Sequence, residues 1–273
     1  MIVVKEFPNK EFATKEDLFT ALRENKSTLI AQKKGQNKES DSTFYFVGVE
    51  TEKGEVVKAE ENESSDPTKL KAVLAINTTN LLDSHGDVHL KGIWKKSISE
   101  QKNVLLLQEH QMKFDKIISD NVTVSTKTMS WKSLGYDLEG NTEVLMFGAE
   151  IDKDRNEFMF KQYAKGYVKE HSVGMRYVKI EMAINSESKY DSEEKAVWDK
   201  YYPEIVNKDL ADSRGYFWAV TEAKVIEGSA VVKGSNFATP TISIEAVKDT
   251  PIEQEQKQEP AEVTQTVIKR RRN

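Results

Sequence analysis

The chain has 273 residues, of which 31% are charged, and its formal net charge is −5 at pH 7. This charge provides no overall attraction to nucleic acid, and no apolar run approaches the roughly 20 residues that a membrane-spanning helix needs. We therefore expect neither nucleic acid nor a membrane among its partners. The sequence lacks cysteine and opens without the basic and apolar segments of a signal peptide, which predicts a cytoplasmic protein without disulfides or thiolate chemistry.

Residues 1–66 are predicted to form an appendage of helix and strand that ends in a linker. Thr14 and Asp17 resemble a capping box with Asp in place of the usual Glu or Gln. The apolar spacing that follows predicts one or two amphipathic helices over residues 14–33, and residues 44–49 form a predicted strand. We expect the helical part to dock on the core of its own chain, with docking on a partner as the alternative.

Short apolar runs separated by turn signals extend over residues 67–246. Predicted strands occupy residues 71–78, 104–107, 117–125, 144–151, 168–182 and 217–232. Predicted helices occupy residues 93–101, 155–165 and 191–202, the last of them within an excursion from the core at 183–215. Strands in this number and spacing predict an α+β domain that is mainly β, in the form of a barrel.

The composition changes after Ala246 to Glu, Gln, Pro and Lys. Such a segment buries too little apolar surface to offset the entropy of ordering it, so residues 247–273 are predicted to be a disordered tail. The turn-forming residues Thr239–Thr241 are expected to end the ordered core. The final basic cluster, Lys269–Arg272, could attract an acidic partner or simply increase solubility.

Ser172 lies in the run Glu170–Met175, whose alternation predicts a strand. Because neighbouring side chains on a strand face opposite ways, Ser172 would point away from His171. Gly174 would let another backbone, such as that of a substrate, approach closely. An α/β-hydrolase nucleophile elbow does not fit, because Glu170 stands where its first glycine belongs and no strand-to-helix turn follows. The alternative is a surface strand that happens to carry a small residue.

The sequence contains only four histidines, so a catalytic histidine has few candidates. His110 follows the apolar run 104–107, at the end of a predicted core strand that could aim its side chain. The alternative is an ordinary histidine on a surface loop. His110 and Ser172 are far apart in the sequence, and only the tertiary structure could bring them together.

A second cluster of polar residues alternates through Asp83, His85, Asp87 and His89. On a strand these four side chains would share one face and could hold zinc or a harder metal. Gly86 indicates a turn that would break this face, and we therefore favour a polar loop without a metal. A metal-dependent hydrolase built on these residues is kept as an alternative.

Four ordered blocks of the sequence resemble those of the tailed-bacteriophage prohead (capsid maturation) protease family. The blocks are Asp83–Gly92, Val104–His110, His171–Met175 and Glu227–Asn236, within a match that covers about residues 70–246. The resemblance implies a serine endopeptidase related in fold to the herpesvirus assemblins, a β-barrel with surrounding helices. The histidine of the family falls on His110, and its serine falls on Ser172.

This sequence departs from the family pattern at three places. Gln108 stands where an aromatic residue is frequent, Gly234-Ser235 replaces a Pro-Ala pair, and the excursion at 183–215 is long. These departures leave the expected catalytic pair intact. They imply that the loops that determine substrate specificity differ from those of the family.

The third catalytic residue is left open between Glu227 and Glu222. The family block Glu-x-Ser-x-Val falls on Glu227–Val231, which favours Glu227. Glu222 lies five residues earlier and would face the other way in an unbroken strand. His171 is a poor choice because its side chain would point away from that of Ser172. His85 and His89 remain possible third residues but lie in a predicted loop.

The resemblance also implies the partners and the compartment. We expect the protease to cleave the phage major capsid precursor and scaffold proteins inside the assembling prohead, in the cytoplasm of an infected bacterium. No cofactor or metal is expected, and a homodimer or higher oligomer is allowed. The alternative function is a non-enzymatic assembly protein that binds the same precursors through the same fold.

Overall fold

The computed structural model describes residues 1–36, 67–100 and 103–247. The predicted strand at 44–49 and the predicted tail, apart from its first residue, lie outside these ranges. Six α-helices occur in the described residues: α1 (Lys15–Glu24), α2 (Lys26–Gly35), α3 (Lys95–Glu100), α4 (Glu157–Ala164), α5 (Ser192–Tyr201) and α6 (Lys208–Arg214). None of the described helices has the length and apolar character required to cross a membrane.

Eleven β-strands make up most of the remaining described structure. They are β1 (Ile2–Val4), β2 (Phe7–Phe12), β3 (Lys69–Thr78), β4 (Asp87–His89), β5 (Leu105–Gln108), β6 (Ile117–Ser119), β7 (Asn121–Ser130), β8 (Asn141–Asp152), β9 (Glu170–Ile184), β10 (Tyr216–Val231) and β11 (Thr241–Ala246). The predicted mixture of helix and strand, with more strand than helix, is therefore confirmed.

The described strands form three sheets. One is the two-stranded β1-β2 ribbon, the second has the order β4-β10-β5-β6 with β9 also paired to β10, and the third has the order β11-β3-β8-β7. These sheets do not close into a barrel, so the barrel prediction is not confirmed. The two larger sheets share one apolar core, in which Phe147 of β8 packs so close to Gly228 of β10 that a Cβ there would lie 2.5 Å from the ring.

The β9-β10 hairpin is the element that positions the candidate site. Its two strands pair antiparallel over their whole length, from Glu170 opposite Val231 to Ile184 opposite Tyr216. Helices α5 and α6 lie in the connection between them, within the predicted excursion at 183–215. Along its other edge, β10 pairs in parallel with β4 and β5. The end of β5, which leads to His110, is thereby placed beside the hairpin.

Two predicted boundaries are wrong. The predicted strand at 117–125 is in fact β6 and β7, which belong to different sheets. The chain turns between them at a corner where the Ser119 hydroxyl donates to the Glu150 carbonyl over 2.6 Å, and a single apolar run does not reveal such a change of sheet. The chain also continues beyond Thr239–Thr241 as β11, because β3 offers a free edge for pairing.

The N-terminal helices dock on the core of their own chain. The Thr14 hydroxyl accepts a hydrogen bond from the Asp17 amide over 3.1 Å, so α1 begins with the cap that the sequence predicts. Polar contacts then attach the segment to the core: Arg23 to Asp191, Lys26 to Glu194 at 2.5 Å, Lys33 to Asp87 at 2.5 Å and Glu6 to the Trp218 indole at 2.7 Å.

Candidate active site

Ser172 and Glu227 lie on one face of the β9-β10 hairpin. In the register of this hairpin, Ser172 is directly opposite Ser229 and Gly174 is directly opposite Glu227. Opposite residues of an antiparallel pair project their side chains to the same side of the sheet, and so do residues two apart on one strand. Ser172, Ser229 and Glu227 therefore face the same way.

His171 projects to the opposite face, as the alternation of the strand predicts. Its imidazole is fully buried and lies within 3.1 Å of both the Tyr163 hydroxyl and the Thr239 carbonyl. Burial lowers the pKa of His171 to about 4, although the hydrogen bond to Thr239 opposes this shift. His171 is thus a neutral core residue near pH 7 and takes no part in the arrangement around Ser172.

His110 approaches the same face from the far edge of β10. It follows β5, and both Glu109 and His110 adopt left-handed backbone conformations, with φ of 50° and 55°. The Glu109 amide donates to the Ala230 carbonyl, and the His110 amide donates to the Ser229 hydroxyl, each over 3.0 Å. This tight turn is uncommon for non-glycine residues, and it directs the imidazole over β10.

The imidazole of His110 contacts the carboxylate of Glu227. His110 Nδ1 lies 2.6 Å from Glu227 Oε1, and the two side chains are only 5% and 4% exposed. Because a carboxylate accepts the proton of Nδ1–H, the neutral ring carries its acceptor lone pair on Nε2. This is the tautomer that a general base requires.

Gly174 provides the space that this carboxylate occupies. A Cβ at position 174 would lie 1.9 Å from Glu227 Oε1, far inside van der Waals contact. The sequence-based interpretation that Gly174 admits a second backbone is therefore wrong. The atom that approaches Gly174 belongs to a side chain of the neighbouring strand.

Ser172 and His110 flank β10 without a hydrogen bond between them. His110 Nε2 has no hydrogen-bond partner among the described residues. β10 lies between β9, which carries Ser172, and β5, which leads to His110. Two strand spacings correspond to about 10 Å between the backbones of β9 and β5. Hydrogen bonds between catalytic groups are often long in free enzymes and shorten when substrate binds. The described arrangement therefore contains a histidine–carboxylate pair whose buried Nε2 has no partner within the described part of the chain, with Ser172 on the strand at the other side of β10.

Ser172 is 8% exposed and lines a small pocket. The other walls include Asn77, His85, Ser235 and Asn236. This pocket is only about the size of one water molecule, so it does not by itself form a cleft for a peptide substrate. Ser235, which belongs to the block Glu227–Asn236, contributes directly to this pocket.

Glu222 is not brought to His110. Its carboxylate lies 2.7 Å from Lys179 Nζ and 3.4 Å from Lys96 Nζ. The hydrogen bond from Lys179 lowers the pKa of Glu222 below its ordinary value. Register irregularities interrupt β10 between Val220 and Glu227, so the expectation that Glu222 faces away from Glu227 on an unbroken strand does not apply. Glu227 is nevertheless the acid that contacts His110.

Asp83, His85 and Asp87 do converge, although not on the face of a strand. Their potential ligand atoms lie within 4.8 Å of one another, and all three residues are buried. Gly86, with φ of 78°, forms a turn in which Asp83 Oδ1 accepts hydrogen bonds from the amides of His85 and Asp87, each over 2.9 Å. The predicted polar loop with a turn at Gly86 is therefore present, but its polar side chains are buried.

The carboxylate of Asp87 already has a cation beside it. Lys33 Nζ lies 2.5 Å from Asp87 Oδ1, and the Tyr177 hydroxyl donates to Asp87 Oδ2 over 2.8 Å. Burial, followed by the charge of Asp87, raises the pKa of Asp83 to about 6. His89 points elsewhere and contacts Asn77 and Tyr177. The ammonium group of Lys33 thus provides the positive charge that a bound metal would otherwise provide, and the geometry does not favour a metal centre.

Two contributors to the site were missed by reasoning from the sequence. Ser229 contacts both His110 and Glu227, and the close approach of Glu227 depends on Gly174. The two-residue spacing of Glu227 and Ser229 on a predicted strand was the available signal, because it places both side chains on one face.

Comparisons with models of protein families, with curated protein sequences and with solved structures found no match for this chain.

Proposed function

We propose that this chain is a serine endopeptidase in which Ser172 is the nucleophile, His110 the general base and Glu227 the acid that orients His110. The observation that carries the proposal is the 2.6 Å contact between His110 Nδ1 and Glu227 Oε1, made on the face of the hairpin that also bears Ser172. Nucleophile, base and orienting acid are the three parts that this chemistry requires.

In the proposed reaction, Ser172 Oγ attacks the carbonyl carbon of the scissile peptide while His110 Nε2 takes the hydroxyl proton. His110 then gives that proton to the departing amine nitrogen as the C–N bond breaks, which leaves an acyl-enzyme that water hydrolyses by the same sequence. In this mechanism the Glu227 carboxylate does not take the proton from His110. It holds the ring in the correct tautomer and stabilises the imidazolium that forms.

The family resemblance supports a specific biological setting for this chemistry. We infer that the substrates are the phage major capsid precursor and scaffold proteins, cleaved inside the assembling prohead in the host cytoplasm. A relationship to the assemblin barrel belongs to the same proposal. The separate sheets would then correspond to an opened form of that barrel.

The first test is labelling by a fluorophosphonate, which reacts with activated serines and requires no knowledge of the substrate. Peptide mapping of the labelled protein should locate the label on Ser172. Ser172→Ala and His110→Ala should each abolish labelling, because nucleophile and base act as a unit. Ser99→Ala, which removes an exposed hydroxyl on α3, should label at the wild-type rate.

The second test is co-expression with the neighbouring capsid and scaffold genes, followed by intact-mass measurement of every product. Wild-type protein should shorten at least one precursor, and Ser172→Ala should leave all of them intact while retaining the wild-type melting curve. If wild-type protein neither reacts with the fluorophosphonate nor shortens a precursor, the proposal is wrong. Co-purification with uncut precursors would then favour the non-enzymatic assembly protein.

A further inference from the structure

The hydroxyl of Ser229 connects the two residues that prepare the proposed base. Ser229 Oγ donates to Glu227 Oε2 over 2.6 Å and accepts a hydrogen bond from the His110 backbone amide over 3.0 Å. Ser229 is completely buried, so water does not replace these contacts. The Ser229 hydroxyl oxygen therefore links the carboxylate of Glu227 to the backbone of His110. His110 is also the residue whose imidazole this carboxylate orients.

The contacts of Ser229 determine which oxygen of Glu227 faces the histidine. Glu227 Oε1 contacts His110 Nδ1, and Oε2 is held by Ser229. Without the hydroxyl, the buried Oε2 would have no hydrogen-bond donor. The carboxylate could then lower its free energy by rotating away from His110 toward another donor. Hydrogen bonds to ionised groups are shorter and stronger than neutral ones, in keeping with the 2.6 Å distance.

Ser229 also supports the unusual backbone at His110. The left-handed conformations of Glu109 and His110 are costly for residues with a Cβ, and the surrounding contacts must maintain them. The Ser229 hydroxyl accepts the amide of His110 directly. Loss of this contact would therefore loosen the turn that places the imidazole over β10.

Gly174 restricts the carboxylate from the other side. Glu227 lies against Gly174 so closely that any Cβ would overlap its Oε1. Glu227 is thus enclosed between Gly174 on β9, Ser229 on its own strand and His110 beyond β5. The position of the carboxylate is determined by packing as well as by hydrogen bonds.

From these contacts we propose that Ser229 is a positioning residue that holds Glu227 and the backbone of His110 in the geometry needed to activate Ser172. The proposal rests on the proposed function, because it concerns the efficiency of the same base. Ser229 itself would not touch the substrate. Losing a hydrogen bond to a buried charged group should slow activation of Ser172 by about 10- to 100-fold.

The test compares fluorophosphonate labelling rates of wild-type protein, Ser229→Ala and Ser229→Thr. We expect Ser229→Ala to be about 10- to 100-fold slower in its maximal rate, with the half-saturating reagent concentration unchanged. Ser229→Thr keeps the hydroxyl and should recover most of the rate. Ser97→Ala is the matched control, because the Ser97 hydroxyl is also buried and also accepts a β10 amide, that of Val225 over 2.9 Å, but does not contact Glu227.

A second readout tests the positioning role without depending on any activity. In ¹⁵N NMR spectra of the imidazoles, wild-type His110 should show protonated Nδ1 and unprotonated Nε2 near neutral pH, and Ser229→Ala should show a mixture of tautomers. If wild-type protein does not label at Ser172 but this tautomer change occurs, the proposed function fails and the positioning role survives. A Ser229→Ala protein with the wild-type rate and tautomer, or one slowed no more than Ser97→Ala, would overturn the positioning role.

Discussion

Glu227 and Glu222 lie on the same strand, yet their carboxylates have different surroundings. Glu227 is nearly enclosed and contacts His110, whereas Glu222 contacts the ammonium groups of Lys96 and Lys179. A carboxylate that is paired with lysines has no effect on the tautomer of a distant histidine. The two residues therefore make a natural pair of variants for testing the orienting role.

We predict that Glu227→Gln lowers the turnover number by about 10²- to 10⁴-fold, because an amide no longer selects the required tautomer of His110. Glu222→Gln should change it only slightly. Both variants would be measured on one peptide spanning a mapped cleavage site, across pH. The opposite ranking would transfer the role to Glu222, and near-wild-type turnover in both variants would point to a histidine as the third residue.

His171 should contribute to the pH dependence of stability. Its pKa is lowered to about 4 in the folded protein, mainly by burial, so the unfolded chain binds a proton at His171 more readily. The contribution to stability is complete above the ordinary pKa of about 6.5 and is lost as the pH falls toward 4. We predict that His171→Gln reduces the loss of unfolding free energy between pH 7.5 and pH 4.5 by about 2–3 kcal/mol.

The unfolding free energy of wild type and of His171→Gln would be measured in urea at both pH values. The difference between the two proteins isolates the contribution of His171. Asp83 acts in the opposite direction, because its pKa is raised to about 6 and its contribution is lost as the pH rises from about 4 to 6. That effect is present in both proteins and cancels in the comparison. An equal loss of stability in wild type and His171→Gln would contradict the prediction for His171.

A buried ion pair joins helix α2 to the core. Lys33 extends from α2 to Asp87 at the start of β4, and its ammonium group also lies 5.2 Å from the centre of the Trp218 indole ring. Asp87 is fully enclosed. A buried carboxylate that loses its cation is much more costly than an exposed one, so the N-terminal segment is integrated with the core and is more than an appendage.

We predict that Lys33→Ala lowers the free energy of unfolding by about 3–5 kcal/mol, because Asp87 would remain buried without its ammonium partner. The adjacent Lys34→Ala should change the free energy by less than about 0.5 kcal/mol, since Lys34 makes no ion pair with any described residue. Urea denaturation at pH 7 provides the measurement for both.

A double substitution tests the physical cause of the Lys33 effect. Asp87→Asn in the Lys33→Ala background removes the uncompensated charge and should recover part of the lost stability. If the double variant is less stable than Lys33→Ala by the full cost of the single Asp87→Asn substitution, the two residues are independent and the ion pair is not the cause.

The candidate site belongs to the molecule as a whole, because its residues come from two strands and from the turn after a third. Ser172 and Gly174 are on β9, Glu227 and Ser229 are on β10, and His110 follows β5. β10 lies between the other two strands and pairs antiparallel with one and parallel with the other. The position of Ser172 relative to His110 is therefore determined by pairings between segments that are distant in the sequence.

The amino-acid sequence by itself determined the mixture of helix and strand, the alternation of β9, the cap of α1 and the short list of residues able to perform the proposed chemistry. These properties follow from local rules, since helix caps and the two-residue period of a strand depend on neighbouring residues. The preference for Glu227 over Glu222 as the acid beside His110 was also available from the sequence, through a resemblance of Glu227–Val231 to a family motif.

Only the tertiary structure decided the partner of each strand, the separation of β6 from β7, the open sheets and the pairing of Lys33 with Asp87. It also decided what occupies the space at Gly174 and what Ser229 contacts. A sequence pattern specifies which face of an element is apolar, but several partners can cover such a face. Which partner covers a given face depends on packing and on the burial of charge over the whole chain.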